Sequence, residues 1–355
     1  TFITVDCGAT SIEPMSYANS KGMSSIIIDH HKVDNHLPKS YAHINPSRNE
    51  DNSGLNDLAA VGLTFIFVVG LRRAIRDKNI FPDIQEPSLK QYLDLVALGT
   101  VCDVVQLKGL NRAFVKEGID IISRNSRLGI DGLRSISGSK DIGVSELGYR
   151  IGPRINAAGR TGASDLGVRL LTSRSEDEVL AISERLDNLN KQRQNIEETV
   201  LFEAINSIEN NITIKKLNTF PNSVIVFGEN WHLGVLGIVA SRLKDKYYRP
   251  SFVLSASKGK LTGSARSISG IDIGKLIIKA INRNLLITGG GHKMAAGFSL
   301  NEDTFDRFRK FCEEEIYKQS SSTTLNKINY YDEIIDSSNI NNDLYNLINV
   351  ASPYG

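Results

Sequence analysis

Cysteine is scarce in this chain of 355 residues: Cys7, Cys102 and Cys312 stand far apart. Three thiols so spaced make neither a disulfide framework nor a zinc knuckle, so a reducing, cytoplasmic setting is expected. Long hydrophobic runs are missing as well. The longest, residues 58–71, holds 14 residues and two glycines. That is short of the roughly 18–20 needed to cross a bilayer, and it reads as a buried core helix. No secretory leader is visible, and the chain opens on Thr1 inside a strand-like run, so a preceding N-terminal portion is expected. Strong net charge is absent too, at +2, but its distribution is uneven. Residues 211–300 carry 13 Lys/Arg against 3 Asp/Glu, whereas residues 301–355 carry 5 against 10. The basic stretch suggests a polyanionic substrate held by the second half, with solvated helix faces as the plainer reading.

What is present is an ordinary globular composition, 41% apolar and 23% charged, in a chain too long for one core. Phe2-Ile3-Thr4-Val5-Asp6 reads as a strand, residues 12–22 as a helix, and Ser24-Ser25-Ile26-Ile27-Ile28 as a second strand ending at Asp29. Strand–helix–strand rhythm implies a parallel sheet. His43-Ile44-Asn45-Pro46 is a short strand-to-turn, and residues 47–56 form a polar loop. Residues 55–76 and 88–125 read mostly as helix, broken at Lys108-Gly109, with residues 92–105 apolar on nearly all sides and Asp103 near their end. Residues 149–160 form a loop dense in Gly, Pro and Arg. Residues 175–210 form a long amphipathic helix on which Val179, Ile182, Leu186, Leu189, Ile196 and Val200 recur at helical spacing. The rhythm then restarts: strands at 224–227, 251–254, 260–265 and 287–291, and helices at 233–247, 272–284 and 303–318. An acidic, Asn/Ser-rich tail holds a strand near 327–331 and a helix near 340–349.

Asp6 and Asp29-His30-His31 each follow an apolar strand and belong to one sheet edge, where ligand crevices form in open α/β sheets. Asp103 closes a buried segment. A buried carboxylate is costly unless paired or metal-bound, and carboxylate with imidazole is the donor mix of catalytic divalent metals. One metal cluster explains all five residues economically. Singly, Asp6 or Asp103 reads equally as a helix cap, and a histidine after a strand as a hydrogen-bonded core residue. In the basic half, Gly263-Ser264-Ala265-Arg266-Ser267 offers hydroxyls and a guanidinium suited to a phosphate. Gly289-Gly290-Gly291-His292 permits close backbone approach to a ligand, or is only a tight turn. Asn230-Trp231-His232 opens a helix whose positive end favours anions, with Trp231 as core packing first and a base-stacking platform second.

At these residues the chain resembles the DHH phosphoesterase superfamily and, within it, the RecJ-type exonucleases that degrade single-stranded DNA from the 5′ end. The resemblance is carried by Ile3–Gly8, Ile28-Asp29-His30-His31, Ala97–Val105 and residues 150–160. In the second half it continues through Trp231-His232 with Gly237–Leu243, Gly263–Ser267, and Gly289–His292 with Ala295-Ala296-Gly297. It implies an α/β fold with a parallel-sheet DHH catalytic domain over residues 1–172, joined by a long helix over 173–211 to a smaller mixed α/β DHHA1 domain over 212–320. Residues 321–355 would lead toward an oligonucleotide-binding barrel. It also implies two Mn²⁺ or Mg²⁺ ions with Asp6, His30 and Asp103 as ligands and Asp6 bridging. Asp29 would orient His30. His31 would face the scissile phosphate. Ser264 and Arg266 would hold a 5′ phosphate, and Arg154, Asn156, Arg160, Trp231, His232, Gly290, Gly291 and His292 would contact the substrate.

The implied partner is single-stranded DNA with a 5′ end, together with single-strand-binding protein and a helicase, and the implied state is a monomer off the membrane. The family also has an Asp-rich motif ahead of the first strand seen here, so the chain as written is expected to be an impaired fragment. Two other readings stand beside this one: a DHH phosphodiesterase of oligoribonucleotides or cyclic dinucleotides, and a non-catalytic nucleic-acid-binding module.

Overall fold

The computed structural model describes the whole chain except residues 34–35, 125, 160–162, 216–219, 321–324, 330 and 355, with the backbone alone at 211–215. The chain divides into two compact units, residues 1–189 with 335–355, and residues 190–334. No helix among the described residues is long and apolar enough to cross a membrane.

In the first unit, β1 (Phe2–Val5), β2 (Ser25–Ile28) and β3 (Ala42–Ile44) form a parallel sheet in that order, with Val5 opposite Ile28 and Ile28 opposite Ile44. The uninterrupted isoleucines of β2 follow from its central place, since Ile27 and Ile28 are buried while Ile3 and Val5 of the edge strand are half exposed. Helix α1 (Ile12–Ser20) makes the crossover from β1 to β2. Helix α2 (Ala60–Asp77) packs Leu63 against Ile28 and Leu58.

Helix α3 (Leu93–Cys102) is buried nearly all round, and α4 (Gly109–Arg124) lies against it. Gly118 allows that approach: a Cβ there would stand 2.2 Å from the Leu93 carbonyl oxygen. Buried Asp94 is compensated by Arg127, whose Nε and Nη2 donate to it at 2.8 and 3.2 Å.

Helix α5 (Leu128–Ser137) follows, unforeseen in the sequence. The stretch 149–160, expected as a loop, is helical over its described part. A short α6 (Val144–Glu146) runs through a π-helical turn (Leu147–Ile151) into α7 (Gly152–Gly159). Pro153 lies within this continuous helical run, and the wider π-helical turn before it accommodates the ring and the missing N–H. Gly152 is required there, because its Cβ would meet Cys102 Sγ at 2.4 Å. Helix α8 (Leu166–Thr172) leads to α9 (Glu176–Lys215). Rather than standing as a connector of its own, α9 contributes Val179, Ile182 and Leu186 to the first core and Val200, Ala204 and Ile208 to another in the second unit. Ile196, expected on its apolar stripe, is 38% exposed.

The second unit is built on β4 (Val224–Glu229), β5 (Ser251–Ser257), β6 (Lys260–Arg266), β7 (Thr288–His292) and β8 (Ala295–Asn301), in the order β4-β5-β6-β8-β7. Only β4 and β5 run parallel. Strand β8, missing from the sequence reading, alternates buried Ala296, Phe298 and Leu300 with small residues. Helix α10 (Leu233–Tyr247) covers β5 and β6 on one face. Helices α11 (Ile273–Asn282) and α12 (Phe305–Gln319) share a core with Phe252, Leu254, Leu261, Phe298 and Leu300 on the other. In the tail, residues 327–329 are irregular where a strand was expected, and α13 (Asn342–Val350) matches the helix read there.

Candidate active site

Because β1 and β2 are parallel and in register, the residues just past them emerge side by side at the sheet's carboxyl edge. The Asp6 N–H donates to the Ile28 carbonyl at 2.9 Å, so Asp6 lies beside Asp29. Asp6 has φ +61°, a left-handed conformation that a non-glycine residue seldom adopts, and its side chain is 62% exposed. Asp103 caps α3, its N–H donating to Gly99 O at 2.9 Å, and exposed Val104 behind it has φ +58°. A β-branched residue held there marks strain beside the same site.

The His30 ring joins the two carboxylates. Its Nε2 lies 3.3 Å from Asp6 Oδ1 and 3.5 Å from Asp103 Oδ2. Asp6, His30 and His31 also each place one donor atom within 4.8 Å of the others. Among the described residues no Lys or Arg pairs with Asp6 or Asp103. Burial, with Asp6 adding to it, pushes Asp103 above its ordinary range, although His30 and His31 pull the other way. Two converging carboxylates with imidazole nitrogens and no basic partner suit a divalent cation. A cavity of about 260 Å³ lined by Asp6, Thr64, Gly99 and Asp103 adjoins them.

Asp29 acts differently from the expectation that it would orient the His30 ring. It is buried, and its Oδ1 accepts from the N–H groups of His30 at 2.8 Å and His31 at 3.2 Å, while Oδ2 accepts from Ala9 N at 3.0 Å. The ring it fixes is that of His31, with Nδ1 at 2.7 Å, because a carboxylate two residues back can fold onto that imidazole. Burial alone would raise Asp29, but these hydrogen bonds prevail and hold it below its usual range. The same bond from Asp29 raises His31 against the opposing effect of burial. Asn45 and Ser47, read from sequence only as turn residues, complete the frame. Asn45 Nδ2 donates to His31 O at 2.9 Å and Ser47 Oγ to His30 O at 3.1 Å. An Asn before Pro46 was the available signal. Neighbouring Cys102 is no nucleophile, since burial and then Asp103 push its thiol up to about 11.

Arg154, expected to contact substrate, is instead turned inward. Its Nε and Nη2 both lie 2.8 Å from Asp187 Oδ1 on α9, and Nη1 donates to Arg150 O. Asn156 is exposed on α7, and Arg160 lies outside the described residues.

In the second unit, strand alternation and register gather the remaining residues. Ser264 pairs with Gly297, which pairs with Gly290; Arg266 pairs with Ala295, which pairs with His292. Leu261 and Ala265 point into the α11–α12 core, so Thr262, Ser264 and Arg266 lie on the opposite face with Gly290 and His292. A Cβ at Gly290 or Gly297 would meet nothing within 4 Å, leaving an open polar shelf. Gly291 serves the hairpin instead, its Cβ position lying 2.4 Å from Ala295 O. Arg266 Nη1 donates to Ser264 Oγ at 3.2 Å. Gly237 of α10, not singled out as a site residue, makes room for both: its Cβ would stand 2.9 Å from Arg266 Nη2 and 3.1 Å from Ser264 Oγ.

His232 caps α10, its Nδ1 accepting from Gly234 N at 3.1 Å. Trp231 is 7% exposed, packs in the α9–α10 core and donates Nε1–H to Glu203 at 2.6 Å. The packing reading of Trp231 therefore prevails, and little ring surface is left for stacking a base.

Known proteins resemble the chain over both units. Residues 1–100 match the DHH family, N-terminal domain, and residues 217–318 match the DHHA1 domain. The single-stranded-DNA-specific exonuclease RecJ of Haemophilus influenzae is 34% identical over 99% of the chain and 62% of its own length, and that of Escherichia coli is 34% identical with the same coverage. The chain thus spans about three-fifths of these curated relatives. Among solved structures, RecJ from Thermus thermophilus in complex with Mn²⁺ superposes with TM-score 0.83 at 28% identity, over 100% of this chain and 50% of that one. An exonuclease RecJ bound to manganese superposes with TM-score 0.69 at 31% identity, over 89% and 75%. With a carboxylate–imidazole cluster at the sheet edge and both domains matched in order, the chain belongs to the RecJ family of DHH proteins.

Proposed function

We propose that the protein is a metal-dependent exonuclease hydrolysing phosphodiester bonds of single-stranded DNA from the 5′ end. The observation that carries this reading is the convergence of Asp6, His30 and Asp103, unpaired by any Lys or Arg among the described residues, beside a histidine braced by buried Asp29. Asp6, His30 and Asp103 would hold Mn²⁺ or Mg²⁺, the ions in the RecJ structures this chain resembles. When bound, such an ion supplies Lewis acidity at the phosphoryl group for attack by water.

The protein's own groups do the rest. Asp29 accepts the Nδ1–H of His31 and favours its protonated form, so the Nε2–H on the other edge of the half-exposed ring would donate to the scissile phosphate and offset its developing charge. Ser264 and Arg266 bind the terminal 5′ phosphate through a hydroxyl and a guanidinium fork, with Gly290 and His292 lining the same face. A terminal phosphate so held sets the end from which the strand is shortened. Asn156 and His232 contribute further polar contacts. The proposed setting is the cytoplasm, on strand exposed by a helicase and coated by single-strand-binding protein.

The test is release of nucleotides from 5′-phosphorylated single strands with Mn²⁺, compared with duplex DNA and with blocked 5′ or 3′ ends. Release is expected from single strands with a free 5′-phosphorylated end, whether or not the 3′ end is blocked, and neither from duplex nor from 5′-blocked strands, and Asp103→Ala should lower it about 100-fold or more, by analogy with ligand loss in metal sites. Full activity in Asp103→Ala would remove the metal assignment.

A further inference from the structure

Helix α4 of the first unit carries a row of positive charge that the fold leaves uncompensated. Lys108 stands immediately before the helix, its carbonyl accepting from Arg112 N at 3.4 Å, and Arg112 and Lys116 follow one and two turns on. Residues four apart share one face of a helix, so Arg112 and Lys116 lie in one row. Lys108 and Lys116 are exposed and Arg112 is half-buried, and among the described residues no carboxylate pairs with any of the three. Both acidic residues of α4 are taken by other cations, Glu117 by Lys90 at 2.5 Å and Asp120 by Arg124 at 2.9 Å.

Local physics disfavours this arrangement. Like charges one turn apart repel, and cations around a first turn oppose the positive end of the helix dipole. A solvated surface cation usually has a carboxylate within reach, as Lys90 and Arg124 do against this same helix. Lys108, Arg112 and Lys116 have none among the described residues, so neither penalty is offset within the chain. Sequences keep such local conflicts chiefly where function requires them. A polyanion laid along the row would relieve both at once.

The place of the row says which polyanion. The cavity beside Asp6 and Asp103 is also walled by Ala59 and Ala60. Two residues before Ala59, the Asp57 carbonyl accepts from Asn111 Nδ2 at 2.6 Å, and the same amide donates to Gln106 O at 3.0 Å. With consecutive Cα atoms about 3.8 Å apart, the Asn111 amide is no more than about 13 Å from Ala59. The row therefore starts beside the carboxylate–imidazole cluster. From Lys108 to Lys116 it extends about 12 Å, at about 1.5 Å per residue. At roughly 3.4 Å per stacked nucleotide, that is about three to four phosphates of one strand. We infer that the Lys108–Arg112–Lys116 row is an interaction surface for the phosphates of a single strand on the 3′ side of the scissile bond. The inference rests on the proposed 5′→3′ function and adds where the uncut part of the strand runs on the first unit.

The test measures binding, in EDTA, of 5′-phosphorylated oligothymidylates of two and twelve nucleotides. The double variant Lys108→Ala/Lys116→Ala should bind the twelve-mer roughly tenfold more weakly and lower its log–log salt slope by about 1.4, at about 0.7 per lost phosphate contact. The two-mer, too short to reach the row, should bind as before. Replacing both lysines by arginine should restore the twelve-mer. Arg124→Ala removes one cation from the same helix away from the row and should leave both lengths unchanged, whereas Arg266→Ala should weaken both. Unchanged twelve-mer affinity and salt slope in the double variant, with Arg266→Ala impaired, would overturn the surface and leave the nuclease reading standing. A loss of half that size or more in Arg124→Ala, or an equal loss for the two-mer, would make the effect one of net charge and overturn the surface as well. No binding of either oligomer by the wild-type protein would overturn both readings.

Discussion

Replacing Asp29 by asparagine keeps the shape of the side chain and removes its charge, so it isolates what the buried carboxylate does. Asp29 accepts four hydrogen bonds, three on Oδ1 from His30 N, His31 N and His31 Nδ1, and one on Oδ2 from Ala9 N. An asparagine that leaves its oxygen at the Oδ1 position sets an NH₂ group against the Ala9 N–H, and two donors then face each other. The opposite flip sacrifices three bonds, so the first arrangement wins. A buried donor left unsatisfied costs about 1–3 kcal/mol, and losing charge assistance in the other three bonds adds roughly 1 kcal/mol in all. Asp29→Asn should therefore lose about 2–4 kcal/mol of stability in urea unfolding of the first unit's transition. Mn²⁺ affinity by calorimetry should fall about 10- to 100-fold, because the amides of His30 and His31 and the His31 ring are then held by a weaker, neutral acceptor. Unchanged stability together with unchanged Mn²⁺ affinity would refute the bracing role, and a stability loss with normal Mn²⁺ binding would confine Asp29 to folding.

Gly237→Ala should separate placement from folding on the second unit's polar face. Its Cβ meets only the ends of Arg266 and Ser264, which can move, so thermal stability should change by less than about 1 kcal/mol while binding of a 5′-phosphorylated dinucleotide weakens severalfold; normal binding would show that Arg266 need not lie against α10. Gly118→Ala is the contrasting case, because its Cβ would meet the Leu93 carbonyl, a backbone atom, at 2.2 Å; a loss of about 3 kcal/mol or more is expected in urea unfolding, and a near-neutral result would contradict the close α3–α4 contact. Glu315 is held at about 2, well below the ordinary 4.5, first by its hydrogen bond from Lys279 and then by that from Lys318. A lowered folded-state pKa gives stability that is complete above 4.5 and is lost as pH falls toward 2. Because both ammonium groups are more than half exposed, screening reduces the effect to about 1 kcal/mol. Glu315→Gln should be less stable than wild type by about that amount at about pH 6, with the gap closing between pH 4.5 and 2; a gap independent of pH would show that packing, not charge, is what Glu315 contributes.

Which features were legible in the sequence follows from how local their causes are. Two apolar runs joined by a helix imply a parallel pair, and parallel pairing alone puts Asp6 beside Asp29, so the carboxylate–imidazole edge could be located without coordinates. The direction of the Asp29 carboxylate could not, because it depends on the turn torsions after β2 that bring Ala9, His30 and His31 to one oxygen pair. Residues 149–160 were misjudged because Gly and Pro usually punctuate, yet here a π-helical turn accommodates Pro153 and Gly152 is required by Cys102. Arg154 looked like a free cation because the carboxylate that takes it, Asp187, lies 33 residues away on another helix.

The polar face of the second unit teaches the converse. Ser264, Gly297, Gly290 and Ala295 are poor strand residues by packing criteria, and the smallness of Ala295, Ala296 and Gly297 lowered the signal enough to hide β8 altogether. The same smallness is informative once register is known. A sheet that buries Phe298 and Leu300 on one face while keeping the other bare of side-chain bulk beside an arginine has given up packing there. Glycines in the interior of strands often mark places where a ligand or another backbone approaches closely. Local propensity and fold thus disagree on the face that the proposed function assigns to substrate.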